Sequence, residues 1–152
     1  MMTITKEEPS CLDAINLMDE LSECLQSITG DSGRSSFNPQ DVSVSRSMFV
    51  IARNDAGEAI GCGAIRPINE NIAEIKRMYT RVKGIGVGTE ILSYLERQAQ
   101  NYGYSTIWLE TRLVNQGAVC FYESKGYHRI PNYGKYINST KAVCFEKKLI
   151  CG

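Results

Sequence analysis

The segment Arg81-Val82-Lys83-Gly84-Ile85-Gly86, continued by Val87, Gly88 and Thr89, is where residue types and spacing point most directly to chemistry. Glycines let backbone amides approach a ligand closely. A helical pattern opens near Val87, and a helix N-terminus presents free N–H groups with partial positive charge. Arg81 and Lys83 add formal charge. Together these features make an anion site, and the expected anion is a phosphate group.

The spacing discriminates among phosphate loops. A Walker loop needs Gly-x4-Gly-Lys-Ser/Thr, which this chain lacks. A dinucleotide fingerprint needs Gly-x-Gly-x-x-Gly after a buried, continuously apolar strand. Here the third glycine comes one residue early, and the preceding strand carries Glu74, Lys76 and Arg77. Arg-x-x-Gly-x-Gly at a helix start matches a third type, the loop that holds the pyrophosphate of coenzyme A. Taken alone, the loop is also compatible with a glycine turn that binds nothing, since short glycine motifs recur by chance.

Other reactive groups carry less. Six cysteines stand at positions 11, 24, 62, 120, 144 and 151, with no Cys-x-x-Cys pair and one histidine, His128. Zinc-ligand spacing is absent, so no metal is expected. Cys120 with His128 would suggest a thiol nucleophile. Cys120 reads better as a buried residue of its helix, and Trp108 as core. The opening Met1-Met2-Thr3-Ile4 does not read as a secretory leader, and no apolar run approaches the ~18 residues of a membrane span. The cysteines are therefore expected as free thiols in a reducing cytoplasm.

The elements that must position the loop follow from periodicity and turn residues. A chain of 152 residues fits one domain, expected over 1–152. Seventeen basic residues balance seventeen acidic ones, which argues against a nucleic-acid or membrane-surface binder. An amphipathic helix is expected over residues 10–25, from the spacing of Leu12, Ile15, Leu17, Leu21 and Leu25. A polar loop spans 29–47. Strands follow at 48–53, 59–65 and 72–79, separated by turns at 54–57 and 67–71, and make an antiparallel meander. In the third strand Ile72, Glu74, Lys76 and Met78 are expected on one face, and Ala73, Ile75, Arg77 and Tyr79 on the other. A helix over 87–102 buries Gly88, Ile91, Leu92, Leu95 and Ala99. A strand at 105–110, a helix capped by Asn115 and ended by Gly126, a short extended piece at 127–130 and a strand at 142–149 complete an α+β domain around one mixed, mostly antiparallel sheet with flanking helices.

Several of these segments, in this order, resemble the GNAT superfamily of acetyl-CoA-dependent N-acetyltransferases. They are Ile60-Gly61-Cys62-Gly63-Ala64, Ala73-Glu74-Ile75-Lys76-Arg77-Met78-Tyr79, the Arg81 to Gly86 loop, Leu109-Glu110-Thr111, and Asn115 through Phe121-Tyr122-Glu123 to Gly126-Tyr127. The resemblance covers positions 49–149. It implies a sheet whose central strands splay around acetyl-CoA. Backbone groups of Met78, Tyr79 and Thr80 would pair with the pantetheine arm. Arg81, Val82, Lys83, Gly84, Ile85 and Gly86 would hold the pyrophosphate, with Val87, Gly88 and Thr89 at the helix start. Asn115 would contact pantetheine, and Tyr122 would lie near the sulfur.

The implied reaction is transfer of acetyl from acetyl-CoA to a primary amine of a small molecule or peptide, by direct attack through a tetrahedral intermediate. Glu74 is the expected general base and Tyr122 the acid for the leaving thiolate. Glu110 and Arg112, at a strand end, are candidates to read the acceptor's charge, and Tyr133 and Tyr136 to line its pocket. Family resemblance also allows a homodimer. One departure stands out: Thr80 runs straight into Arg81, where many relatives place several more residues. This motivates a second reading, a non-catalytic acyl-CoA-binding or regulatory domain.

Overall fold

The computed structural model describes residues 1–149, so Cys151 lies outside the described residues. Seven strands form one sheet: β1 (Thr3–Lys6), β2 (Met48–Arg53), β3 (Ala59–Pro67), β4 (Ile72–Thr80), β5 (Thr106–Arg112), β6 (His128–Ile130) and β7 (Ala142–Lys148). Their order is β1-β2-β3-β4-β5-β7-β6. Every neighbouring pair is antiparallel except β4–β5. The expected α+β class, a mixed and mostly antiparallel sheet flanked by helices, is the observed one.

Helices cover both faces. On one, α2 (Val87–Asn101) and α3 (Gln116–Ser124) contribute Val87, Ile91, Leu92, Leu95, Val119 and Tyr122 to the larger apolar cluster. On the other, Ala14 and Leu17 of α1 (Leu12–Thr29) pack on Phe49, Ile51, Cys62 and Ala64. Burial on both faces explains why β2 reads as a continuous apolar run. Glycines in β3 set the helix distance. A Cβ at Gly63 would meet Met78 Sδ at 2.7 Å and Ile91 Cγ2 at 2.9 Å, so α2 sits closer than any side chain there would allow.

The structure corrects the sequence reading in particular places. β1 has four half-exposed or exposed residues and is too short to show a pattern. α1 runs to Thr29 and stops at Gly30, whose φ is 80°. Leu12 and Ile15, expected inside, are exposed, and Ala14 is buried instead. Cys120, expected in the core, is exposed, while its neighbour Val119 is buried. Trp108 is half-buried, not core.

The most consequential correction concerns β4. Cys62 faces Tyr79 but Ala64 faces Lys76, so Arg77 and Met78 together oppose Gly63. This is a β-bulge, with Arg77 at φ 53°. Beyond it the alternation inverts. Met78 joins Ala73 and Ile75 on the α2 side. Arg77 and Tyr79 instead reach Ser22 and Glu20 of α1, on the face that carries Glu74. The expected grouping of Met78 with Glu74 and Lys76 is therefore wrong. β4 pairs with β5 only from Ile72 to Glu74, then stays with β3 up to Thr80, while β5 stays with β7 up to Arg112. The central strands splay, leaving one β4 edge open from Ile75 onward.

Candidate active site

The loop after β4 holds its backbone donors free. Among the described residues, no N–H of residues 82–89 donates to a protein acceptor; the first bond of the helix is Glu90 N to Gly86 O, 3.0 Å. Gly84 and Gly86 both have φ 81°, and a Cβ at either would meet nothing within 4 Å, so conformation and not space demands glycine there. Unsatisfied amides at a helix N-terminus fit a pyrophosphate. Arg81 is the exception. Its N–H donates to Ile60 O (2.7 Å), and its guanidinium pairs with Glu20 (2.6 Å) and donates to Ala59 O (2.7 Å). It ties the loop's start to β3 and α1. That guanidinium also holds the Glu20 carboxyl below its ordinary range. Lys83 makes no ion pair among the described residues and is exposed.

These amides open onto a cleft of about 840 Å³, a size typical of organic ligands. Residues 78–89, except Arg81 and Ile85, line it, as do Asn115 and Tyr122. Exposed Ile28, Val82 and Val114 supply apolar contact on its walls. The open β4 edge runs along it, with Met78, Tyr79 and Thr80. Asn115 caps α3, its Oδ1 accepting from Ala118 N at 3.3 Å, and this leaves Nδ2 free to face a ligand.

A smaller cavity, about 160 Å³, lies where β4 and β5 part. Met78, Asn115, Ala118 and Tyr122 line both spaces, so Tyr122 stands at their junction. Its hydroxyl makes no hydrogen bond among the described residues, and burial pushes its pKa up. The small cavity is mixed, with Lys76, Arg77, Glu110, Arg112, Lys135 and Tyr136 on its wall beside apolar side chains.

A charged network runs from behind Lys76 to the wall of this cavity. Arg66 donates to Glu74 Oε1 (2.9 Å) and pairs with Asp41. Tyr133 donates to Glu74 Oε2 (2.5 Å), and Lys76 lies 3.7 Å from the same oxygen. Lys76 donates to the Tyr136 hydroxyl (2.7 Å), and Tyr136 lies close enough to Glu110 to help hold its carboxyl down. Arg112 bonds Glu110 and lies 3.5 Å from Asp31. Burial pushes the Glu110 carboxyl up, against the pull of Arg112 and Lys76. It pushes Lys76 down, against the pull of Glu74. Glu110 and Tyr122 line one cavity, whereas Glu74 lines neither and has both oxygens engaged. Of the two loop tyrosines, Tyr136 lines the cavity, while Tyr133 stacks on Trp108 with ring centroids 4.8 Å apart. Lys76, Arg77 and Lys135 went unnoticed as site residues; strand alternation hides Arg77, because only the bulge turns it this way.

Among the described residues no helix is long and apolar enough to cross a membrane, and no group of three or more His, Cys, Asp or Glu could hold a metal ion.

Comparison with known proteins agrees with this geometry. An IAA acetyltransferase of Azospirillum brasilense is 26% identical over 151 residues, covering 97% of this chain and 98% of that protein. A Klebsiella pneumoniae protein whose name assigns it to the acyl-CoA N-acyltransferases superposes with a TM-score of 0.83 at 29% identity, over 99% of both chains. The PaiA N-acetyltransferase of Thermoplasma acidophilum, solved in complex with coenzyme A, shares the fold at a TM-score of 0.75 and 18% identity, over 97% of this chain and 99% of that one. The model of the acetyltransferase (GNAT) family matches residues 14–127. With its splayed sheet and unbonded loop amides, the chain belongs to the GNAT family of acetyltransferases.

Proposed function

We propose that the protein moves an acetyl group from acetyl-CoA to a primary amine of a small molecule or peptide, by direct attack on the thioester. The observation that carries this reading is the row of unbonded amides over residues 82–89, opening onto a cleft that meets the smaller cavity at Tyr122. The cleft suits a pyrophosphate with a long organic arm; the cavity suits an amine. The coenzyme-bound Thermoplasma protein and the Azospirillum acetyltransferase support the same assignment.

In this reading the loop amides and Lys83 hold the pyrophosphate, and Arg81 fixes the loop. Met78, Tyr79 and Thr80 pair with pantetheine as an added strand would, and Asn115 Nδ2 donates to it. An alkylammonium titrates near 10, so the acceptor must lose a proton before attack. Glu110 receives that proton. It lines the cavity, and its raised pKa brings it closer to the working pH of a base. Glu74, saturated by Arg66 and Tyr133, is a positioning residue that steadies Lys76.

The nitrogen then bonds to the thioester carbon as the carbonyl electrons move to oxygen. A backbone N–H near Met78 to Thr80 donates to that oxyanion. The carbon–sulfur bond breaks, the electron pair leaves with sulfur, Tyr122 gives its proton to the thiolate, and the second proton lost by the attacking nitrogen restores the Tyr122 phenol as the amide forms. Its raised pKa keeps the phenol protonated at neutral pH, so its hydroxyl is always available as a donor.

Thiol release from acetyl-CoA with a panel of amines, run beside calorimetry with coenzyme A, tests the proposal. Binding with turnover on at least one amine is expected. Binding without turnover on any amine would favour the non-catalytic acyl-CoA-binding reading, and no binding would sink both.

A further inference from the structure

Arg77 is a buried cation without a counter-charge. The residue is 8% exposed. Its Nη2 donates to two neutral oxygens of α1, Ser22 Oγ (2.7 Å) and the Met18 carbonyl (3.0 Å). Among the described residues, its Nε is the buried side-chain polar atom left with no hydrogen-bond partner. No carboxylate of the described residues lies within ion-pair distance of it, although the other two buried charges, Lys76 and Glu74, face each other at 3.7 Å, and the half-buried Arg66 and Arg112 are paired as well. An unpaired buried charge is costly. The same residue also occupies a left-handed backbone conformation at φ 53°, which side chains other than glycine adopt at a cost. Two costs fall on one position, and both serve to aim a guanidinium at the small cavity.

The cavity's charges point the same way. Its wall carries four cations, Lys76, Arg77, Arg112 and Lys135, and two carboxylates, Asp31 and Glu110. Lys76 is spent on Glu74, and Arg112 on Glu110 and Asp31. Lys135 lies over the Tyr136 ring and within electrostatic reach of Asp31. Arg77 and Lys135 make no ion pair among the described residues, while Glu110, bonded by Arg112 through Oε2, faces the same space. A volume of about 160 Å³ equals roughly five waters at ~30 Å³ each, the scale of a charged end group on a short stem.

We infer that the acceptor is a small amino acid, an amine that also bears a carboxylate, and that Arg77 binds this carboxylate while the amine faces Glu110 and the thioester. Nη2 is spent on α1 and Nε is buried, so Nη1, with no hydrogen bond among the described residues, is the donor left for a charge-assisted bond to the carboxylate. This rests on the acetyl-transfer reading above, but its test fails separately.

The test compares matched small acceptors differing only in the carboxylate: alanine against ethylamine, and valine against isobutylamine. The wild-type protein is expected to favour the carboxylate member by at least about 10-fold in kcat/KM, as a charged hydrogen bond would confer. Arg77→Met should bring that ratio close to one through KM, and Arg77→Lys should restore part of it. A merely structural role would lower both members of a pair alike. Equal wild-type rates within each pair would overturn the inference while leaving acetyl transfer intact, and this arm needs no variant to fold. If no amine is turned over, calorimetry of the same acceptors against the coenzyme A complex decides. Saturable binding of the amino acids alone, lost in Arg77→Met, supports the site; binding of neither, or of both members equally, overturns it.

Discussion

The side of this cleft proposed for the coenzyme and the side proposed for the acceptor are built from different materials. The coenzyme side is main chain: consecutive amides over residues 82–89, the open edge of β4, and an N-terminal helix turn. The proposed acceptor side is mostly side chains, drawn from α1 and the segment after it, β4, β5, α3 and its cap, and the loop before β7. A backbone site depends on local conformation and tolerates most side-chain changes outside its glycines. A side-chain site depends on long-range packing and on a balance of buried charge. Substitutions should therefore separate the two: loop changes should alter coenzyme affinity, and network changes should alter turnover.

The largest expected effect is at Glu110. Glu110→Gln should lower kcat by about 100-fold or more, with coenzyme affinity by calorimetry unchanged. The base must be ionised, and burial raises its pKa. Wild-type kcat/KM should accordingly fall as pH drops through a value above the ordinary ~4.3 of a glutamate, and that limb should vanish in the variant. Glu74→Gln should keep the limb. A lost limb in Glu74→Gln with a retained one in Glu110→Gln would reverse the two roles.

Tyr122→Phe should lower kcat by about 10-fold to 100-fold, with a small change in KM, in a steady-state thiol-release assay. Because Tyr122 belongs to both cavities, it is the residue most able to blur the contrast. Loss of coenzyme affinity larger than loss of turnover would make it a binding residue.

Gly86→Ala should weaken coenzyme binding about 10-fold and leave the kcat measured at saturation nearly unchanged. Its left-handed backbone (φ 81°) costs a side-chain-bearing residue ~1–2 kcal/mol. A kcat loss at saturation would show that loop and acceptor site are not independent.

The smallest effect lies outside both regions and serves as a control. Glu7 of the segment after β1 pairs with Arg53 of β2 at 2.7 Å, and Arg53 holds its carboxyl below the ordinary 4.5. The stabilisation is present above that ordinary value and is lost as pH falls through the lower folded one. Arg53→Met should cost below about 1 kcal/mol at neutral pH, seen as a slightly lower Tm whose difference from wild type shrinks in acid. Neither coenzyme affinity nor turnover should move.

The same contrast governs what could be read in advance. β2 was legible because it is an apolar run between turns, and α2 because Ile91, Leu92, Leu95 and Ala99 repeat with helical period and all are buried. Asn115 was legible as a cap, and it caps. Leu12 and Ile15 misled because an apolar residue carries no mark of whether a partner surface covers it. Glu74 attracted attention through its strand context, yet what occupies it, Arg66 and Tyr133, comes from other parts of the chain.

By itself the sequence determined the elements other than the short β1, the glycine loop and the family pattern, because each depends on residues within a few positions of one another. Only the tertiary structure decided which carboxylate faces the cavity and that Arg77 is turned toward it. A single bulge at residue 77 inverts the alternation of β4, and no local rule of period two can foresee a register shift set by the neighbouring strand.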